Sequence, residues 1–245
     1  MAGLLGIGVL VMIAANAVVG TRLALLARRT RRLPELAIAT SMLLLGAIGY
    51  PMSIVARNLG DPAAAEAMLG AAFVFENLGC ASMAVATWRT FRPQDAWARW
   101  LCIAFAVVLA GSWGVQAAIG DFAAGRAPSV PYWLAFAGRG LPFVWAAIES
   151  WSYSLRLRRR AAIGLAEPVV ADRFRLWAIN TSSVSAAFGV FAVAVMLDVP
   201  VATSPLVLAL TSAAGLASGG SMWLAFLPPR WYLRRFEAFD AAVAA

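Results

Sequence analysis

The chain has 245 residues, 62% hydrophobic and 13% charged, with a mean hydropathy of +0.78. An apolar excess of this size cannot be enclosed in one water-soluble core, because a surface must still be covered with polar groups. The net charge of +8 would suggest nucleic acid in a soluble protein, but every basic residue is an Arg and most fall between apolar runs. That is the pattern of membrane topology and anionic headgroups, not of a duplex-binding face. The composition implies a lipid bilayer with anionic headgroups as partner, and no nucleic acid.

Seven apolar runs of about 20 residues follow one another, each long enough to cross about 30 Å of hydrocarbon. In chain order they are Leu4–Leu26, Leu36–Val55, Ala65–Trp88, Trp100–Ile119, Tyr132–Tyr153, Leu176–Leu197 and Pro205–Phe226. Short breaks carrying Pro, Gly, Asp and Arg separate them, as connections at a polar interface should. The fold class expected is all-α, a polytopic bundle of seven transmembrane helices forming a single domain over residues 1–236. Residues 237–245 are expected to form a short cytoplasmic tail.

Orientation follows from the Arg residues. The first connection holds Arg28, Arg29, Arg31 and Arg32, the third Arg89, Arg92 and Arg99, and the fifth Arg156, Arg158, Arg159, Arg160, Arg173 and Arg175. Beyond the last run come Arg230, Arg234 and Arg235, whereas the second connection offers Arg57, the fourth Arg126 and the sixth none. The positive-inside rule puts the odd connections and the C-terminus in the cytoplasm, so an odd number of crossings leaves the N-terminus outside. Ala15-Asn16-Ala17 resembles a signal-peptidase site, but the positive charges follow the apolar run instead of preceding it, which favours an uncleaved first helix. Trp88, Trp97, Trp100, Trp151, Trp177 and Trp231 are expected near the inner interface and Trp133 near the outer one, an aromatic belt.

Three absences restrict the chemistry. Without His there is no imidazole ligand or base. Without Lys there is no Schiff base to retinal or pyridoxal phosphate. The two Cys, Cys80 and Cys102, lie inside apolar runs and read as small buried residues. No nucleophile elbow, zinc-protease motif, P-loop or dinucleotide fingerprint occurs in a suitable context. The sequence therefore implies no enzyme, no catalytic residue, no metal and no cofactor.

Ionisable groups within the runs are the sharpest clues, since each costs several kcal/mol in lipid unless paired or hydrated. Glu76 falls near the middle of the third run and Arg139 in the outer half of the fifth, at depths differing by about 5–8 Å. If those helices are neighbours the two can form an ion pair or polar pocket, with Asn77 and Tyr50 contributing from similar depths. Arg139 and Glu149, about 15 Å apart along one helix, cannot readily pair with each other. Glu149 shares a stripe with Trp145 and Tyr153. With Asn180 at similar depth, and Asn16 nearer the middle, it either lines an inward-facing polar site or joins helices by hydrogen bonds. Gly138, Gly140 and Pro142 weaken the fifth helix and Pro51 the second, making them hinge candidates. The last run carries Ser212, Ala213, Gly215, Ser218, Gly219, Gly220 and Ser221, small residues suited to close helix contact. Arg28, Arg29, Arg31, Arg32, Arg156, Arg158, Arg159 and Arg160 are candidates for contact with headgroups or a cytoplasmic partner.

The segment Phe226-Leu-Pro-Pro-Arg-Trp-Tyr-Leu-Arg-Arg-Phe236 resembles the exit of bacterial seven-helix membrane sensor modules, which precede signalling domains. Such modules continue into a kinase or cyclase, whereas this sequence stops at Ala245, so the resemblance implies a sensor whose output lies on a separate protein. The topology resembles microbial rhodopsins as well, but the missing Lys excludes their retinal linkage. The function expected is an inner-membrane sensor or receptor-like protein acting through a cytoplasmic or membrane protein partner. A small-solute transporter or channel, and an accessory subunit of a larger membrane complex, are the alternatives.

Overall fold

The computed structural model describes residues 2–122, 128–201 and 203–236, with side chains from residue 7 onward. Arg126 and the expected tail at 237–245 lie outside the described residues. Among those described there is no strand. The chain runs through α1 (Ala2–Thr30), α2 (Leu33–Ala56), α3 (Pro62–Phe91), α4 (Ala96–Ile119), α5 (Val130–Ala161), α6 (Pro168–Met196) and α7 (Pro205–Phe226). Each predicted run lies within one of these, apart from Leu197, the C-cap of α6. Six helices, α1 to α4, α6 and α7, are long and apolar enough to cross a membrane, which defines a multi-pass membrane bundle. The remaining helix, α5, contains Arg139, Glu149 and the basic run Arg156–Arg160, which lower its hydropathy.

The helices extend past their apolar runs because helical backbone needs no apolar side chains once it reaches water. Arg156 to Arg160 continue α5, and Arg173 and Arg175 belong to the first turns of α6, so the expected long fifth connection shrinks to residues 162–167. Starts are set by local chemistry. The Asp61 side chain accepts from the N–H of Ala63, Ser129 from Tyr132 and Ser204 from Val207, while Pro occupies the first helical positions of α2, α3, α5, α6 and α7. Arg28 and Arg29 end α1, Arg89 ends α3 and Arg158 to Arg160 end α5, where cations complement the helix dipole.

Contacts between helices fix an alternating order. Gly20 of α1 meets Leu43 of α2, Ala56 at the end of α2 meets Leu69 early in α3, and Gly70 of α3 meets Trp113 late in α4. Ser154 of α5 bonds Ala171 of α6, and Leu176 near the start of α6 packs on Ala225 at the end of α7. α1 closes against α7 in parallel, with Gly8 at Ser212 and Val11 at Gly219. A ring α1–α2–α3–α5–α6–α7 results, with α4 outside against α3 and α5. Up-and-down order gathers the Arg-rich ends of α1, α3, α5 and α7, with the starts of α2, α4 and α6, at one end of the bundle.

Val19, Met42, Cys80, Met83, Phe143, Ala146, Trp177 and Met222 fill the ring. Trp177 is therefore not a belt residue. It is buried against Phe226, because α6 turns that face toward α7. Trp97, Trp100, Trp151 and Trp231 are exposed near the Arg-rich end, as a belt requires. Ser212, Gly215 and Gly219 of the small-residue face of the last run bring backbones together, whereas Ala213 and Gly220 are exposed. A Cβ built on Gly8 would lie 2.1 Å from the Ser212 carbonyl oxygen, and one on Gly215 2.7 Å from that of Gly8.

Candidate functional site: a buried ion pair among three helices

The costliest groups in the chain meet at its centre. Arg139 Nη1 of α5 donates to Glu76 Oε2 of α3 at 2.7 Å, and both residues are buried. Ser53 Oγ of α2 donates to the other carboxylate oxygen at 2.6 Å. The guanidinium lies 4.2 Å from the centroid of Phe73, one turn before Glu76, and its Nε donates to the Ala135 carbonyl at 3.4 Å. The site thus combines a charge-assisted hydrogen bond, a hydroxyl donor and a cation–π contact. Such a pair repays its desolvation only with good geometry, and removing one partner typically costs about 3–5 kcal/mol.

Glycine makes the approach possible. A Cβ on Gly49 would fall 2.8 Å from Glu76 Cγ, and one on Gly79 would fall 2.6 Å from Leu45 Cβ. The stretch of α2 beside the pair, Met42–Gly49, is π-helical and ends with the Tyr50 N–H bonding the Leu45 carbonyl. Pro51 follows directly. It cannot donate to the carbonyl of Ala47 and its ring crowds the preceding turn, and the wider π turns take up that defect. Such turns occur often at functional sites. The Pro51 break expected from sequence is therefore a π segment, with Gly46 of that segment packed on Asn16 of α1.

The other candidates fall elsewhere. Asn77 is buried beside Glu76 but turns to α4, where its Nδ2 donates to the Leu109 carbonyl at 3.3 Å. Tyr50 is half-buried and within electrostatic reach of Glu76, with Ser53 one turn along α2 making the contact instead. Glu149 is buried and accepts from Arg92 Nε at 2.8 Å, just past the end of α3. That bond and charge raise the Arg92 guanidinium above its ordinary value. Its stripe-mates pack separately, Trp145 on Cys102 and Phe105, and Tyr153 on Phe91 and Phe174. Asn180 accepts from Ser218 Oγ at 2.7 Å and so ties α6 to α7. The polar residues of the Arg-rich half are joints between helices and do not converge on one site.

The hinge candidates Gly138, Gly140 and Pro142 lie in an uninterrupted helix. A Cβ on Gly138 would meet Leu109 at 3.0 Å, and one on Gly140 would meet Phe188 at 3.3 Å, so these glycines admit α4 and α6. Ser53, Phe73 and Arg92 were not singled out for these roles from sequence, nor was Asp172, which accepts from Tyr232 and pairs with Arg175 at 2.6 Å. Loss of water and the Asp172 contact push the Tyr232 phenol up to about 12.

No known protein family, curated protein or solved structure matches the chain.

Proposed function

We propose that the protein is a seven-helix membrane sensor, with its N-terminus outside and its Arg-rich end in the cytoplasm, acting through a cytoplasmic partner. The reading treats α5 as a seventh span, its two charged groups being compensated at Glu76 and Arg92. The observation that carries it is the buried Glu76–Arg139–Ser53 centre beside the π segment of α2. Charge buried in a membrane bundle is expensive and belongs by default to function. The irregular helix beside it can change winding at small cost.

A charged solute or a proton that competes for one member of the pair shifts the bundle toward the state in which the pair is open. α3 and α5 carry that change to the basic end, where Arg92 and Glu149 join the same two helices again. The cytoplasmic face formed by Arg156 to Arg160 is the output surface, and no catalytic step is assigned to the chain.

Native pull-down in mild detergent, followed by mass spectrometry, tests this function. A soluble signalling protein that is recovered with the wild type and lost on reversing the charges at Arg156 to Arg160, with assembly intact, supports it. Recovery of a stoichiometric membrane complex instead indicates an accessory subunit. Labelling at positions flanking Glu76 that alternates between the two sides indicates a transporter.

A further inference from the structure

A second polar site lies at the Arg-rich end, well away from the buried pair. A cleft of about 340 Å³ is lined by Arg158 and Ala161 of α5, Pro168, Asp172 and Arg175 of α6, and Arg235 of the segment after α7. Among the described residues it holds three guanidinium groups and a single carboxylate. That carboxylate is already committed, with Oδ1 to Arg175 and Oδ2 to the Tyr232 hydroxyl. The Nε of Arg175 is buried with no acceptor among the described residues. Arg235 is held over the Tyr232 ring at 4.3 Å, and among the described residues no acid pairs with it. Among the described residues no carboxylate lies within ion-pair distance of Arg158. Helical residues 230–236 dock through Tyr232, which is buried against Leu176 and Ala225, so Arg235 is delivered to the cleft by a fixed element.

We infer that this cleft binds a phosphate group. Three guanidinium groups on three separate segments, with donors left over after the one acid is satisfied, match an oxyanion offering several acceptors around one centre. A lone carboxylate would leave part of that donor set unused. The cleft has room for a substituent on the phosphate and lies at the Arg-rich end, where α5, α6 and the segment after α7 pass beyond the apolar runs. Both a phospholipid headgroup and a soluble phosphate ester present this chemistry.

The test uses the full chain in neutral phosphatidylcholine nanodiscs, titrated calorimetrically with inorganic pyrophosphate. In parallel, native mass spectrometry scores phosphatidylglycerol retained after extraction from mixed discs. Arg158→Gln and Arg235→Gln are compared with Arg99→Gln, an exposed Arg at the same end but outside the cleft. Protection of the buried Cys80 and Cys102 thiols confirms that each variant is folded. Pyrophosphate binding that falls roughly tenfold in both cleft variants but not in Arg99→Gln supports the site and identifies a soluble ligand. Retention of phosphatidylglycerol that is lost in the cleft variants alone supports it and identifies a headgroup. Absence of both signals, or equal weakening by Arg99→Gln, overturns the inference.

Discussion

Replacing Glu76 by Gln leaves the Arg139 guanidinium buried among apolar groups with no counter-charge. Arginine cannot shed its proton in a protein, so the cost is near the full range for breaking a buried pair, about 3–5 kcal/mol. In a chain of this size that corresponds to a fall of roughly 6–20 °C in the thermal midpoint. Arg139→Gln should cost less, because the Glu76 carboxylate keeps its Ser53 donor. In the double variant two amides can bond each other, so its cost should fall below the sum of the singles by about 1–3 kcal/mol. The protein supplies its own reporters for this cycle, since Cys80 and Cys102 are buried and react with a thiol dye only on unfolding. Additivity within about 0.5 kcal/mol, or an Arg139→Gln variant weaker than Glu76→Gln, would mean that the two groups are not coupled in this way.

Ser53→Ala removes the 2.6 Å bond to the carboxylate and should cost about 1.5–3 kcal/mol in the same assay. Gly79→Ala sets a methyl against the Leu45 backbone and should destabilise by about 1–3 kcal/mol, whereas Gly111→Ala, with nothing nearby, should be neutral or slightly stabilising. Glu149→Gln should release Arg92 and raise hydrogen exchange in the connection between α3 and α4. The raised Tyr232 pKa means that the docked segment favours the neutral phenol. Its contribution is whole below the ordinary phenol value of 10, fades as pH rises toward about 12, and should be insensitive to pH in Tyr232→Phe, as proteolysis of the exit segment would show.

The helical runs were legible, six of them as membrane-length helices, because lipid demands about 20 apolar residues per crossing, a signal that survives without any partner. Helix ends were not, since Arg-bearing turns such as Arg156–Arg160 are helical without being apolar. Glu76 and Arg139 stood out because charge in lipid is rare and expensive, and similar depth made them partners. Ser53 gave no such signal. A serine in a membrane helix ordinarily bonds its own backbone, and only the fold brings it to Glu76. The partner of Glu149 was equally hidden, because Arg92 is 57 residues away in sequence and reaches back from beyond α3. In Met42–Gly49 all residues are apolar or Gly, so no periodicity could reveal π winding, and Pro51 alone hinted at it. Trp177 misled because interface and core both favour an indole near a helix end.

In the proposed mechanism the buried pair sets the arrangement of α3 and α5 at the Arg-rich end. Spin labels on exposed Gln94, just beyond α3, and Arg159, at the end of α5, report it directly as an interlabel distance distribution in lipid discs. A narrow distribution is expected in the wild type, and a second, displaced population in Glu76→Gln measured below its unfolding temperature. An unchanged distribution in that folded variant would contradict the mechanism, leaving Glu76 and Arg139 a structural clamp with nothing to transmit.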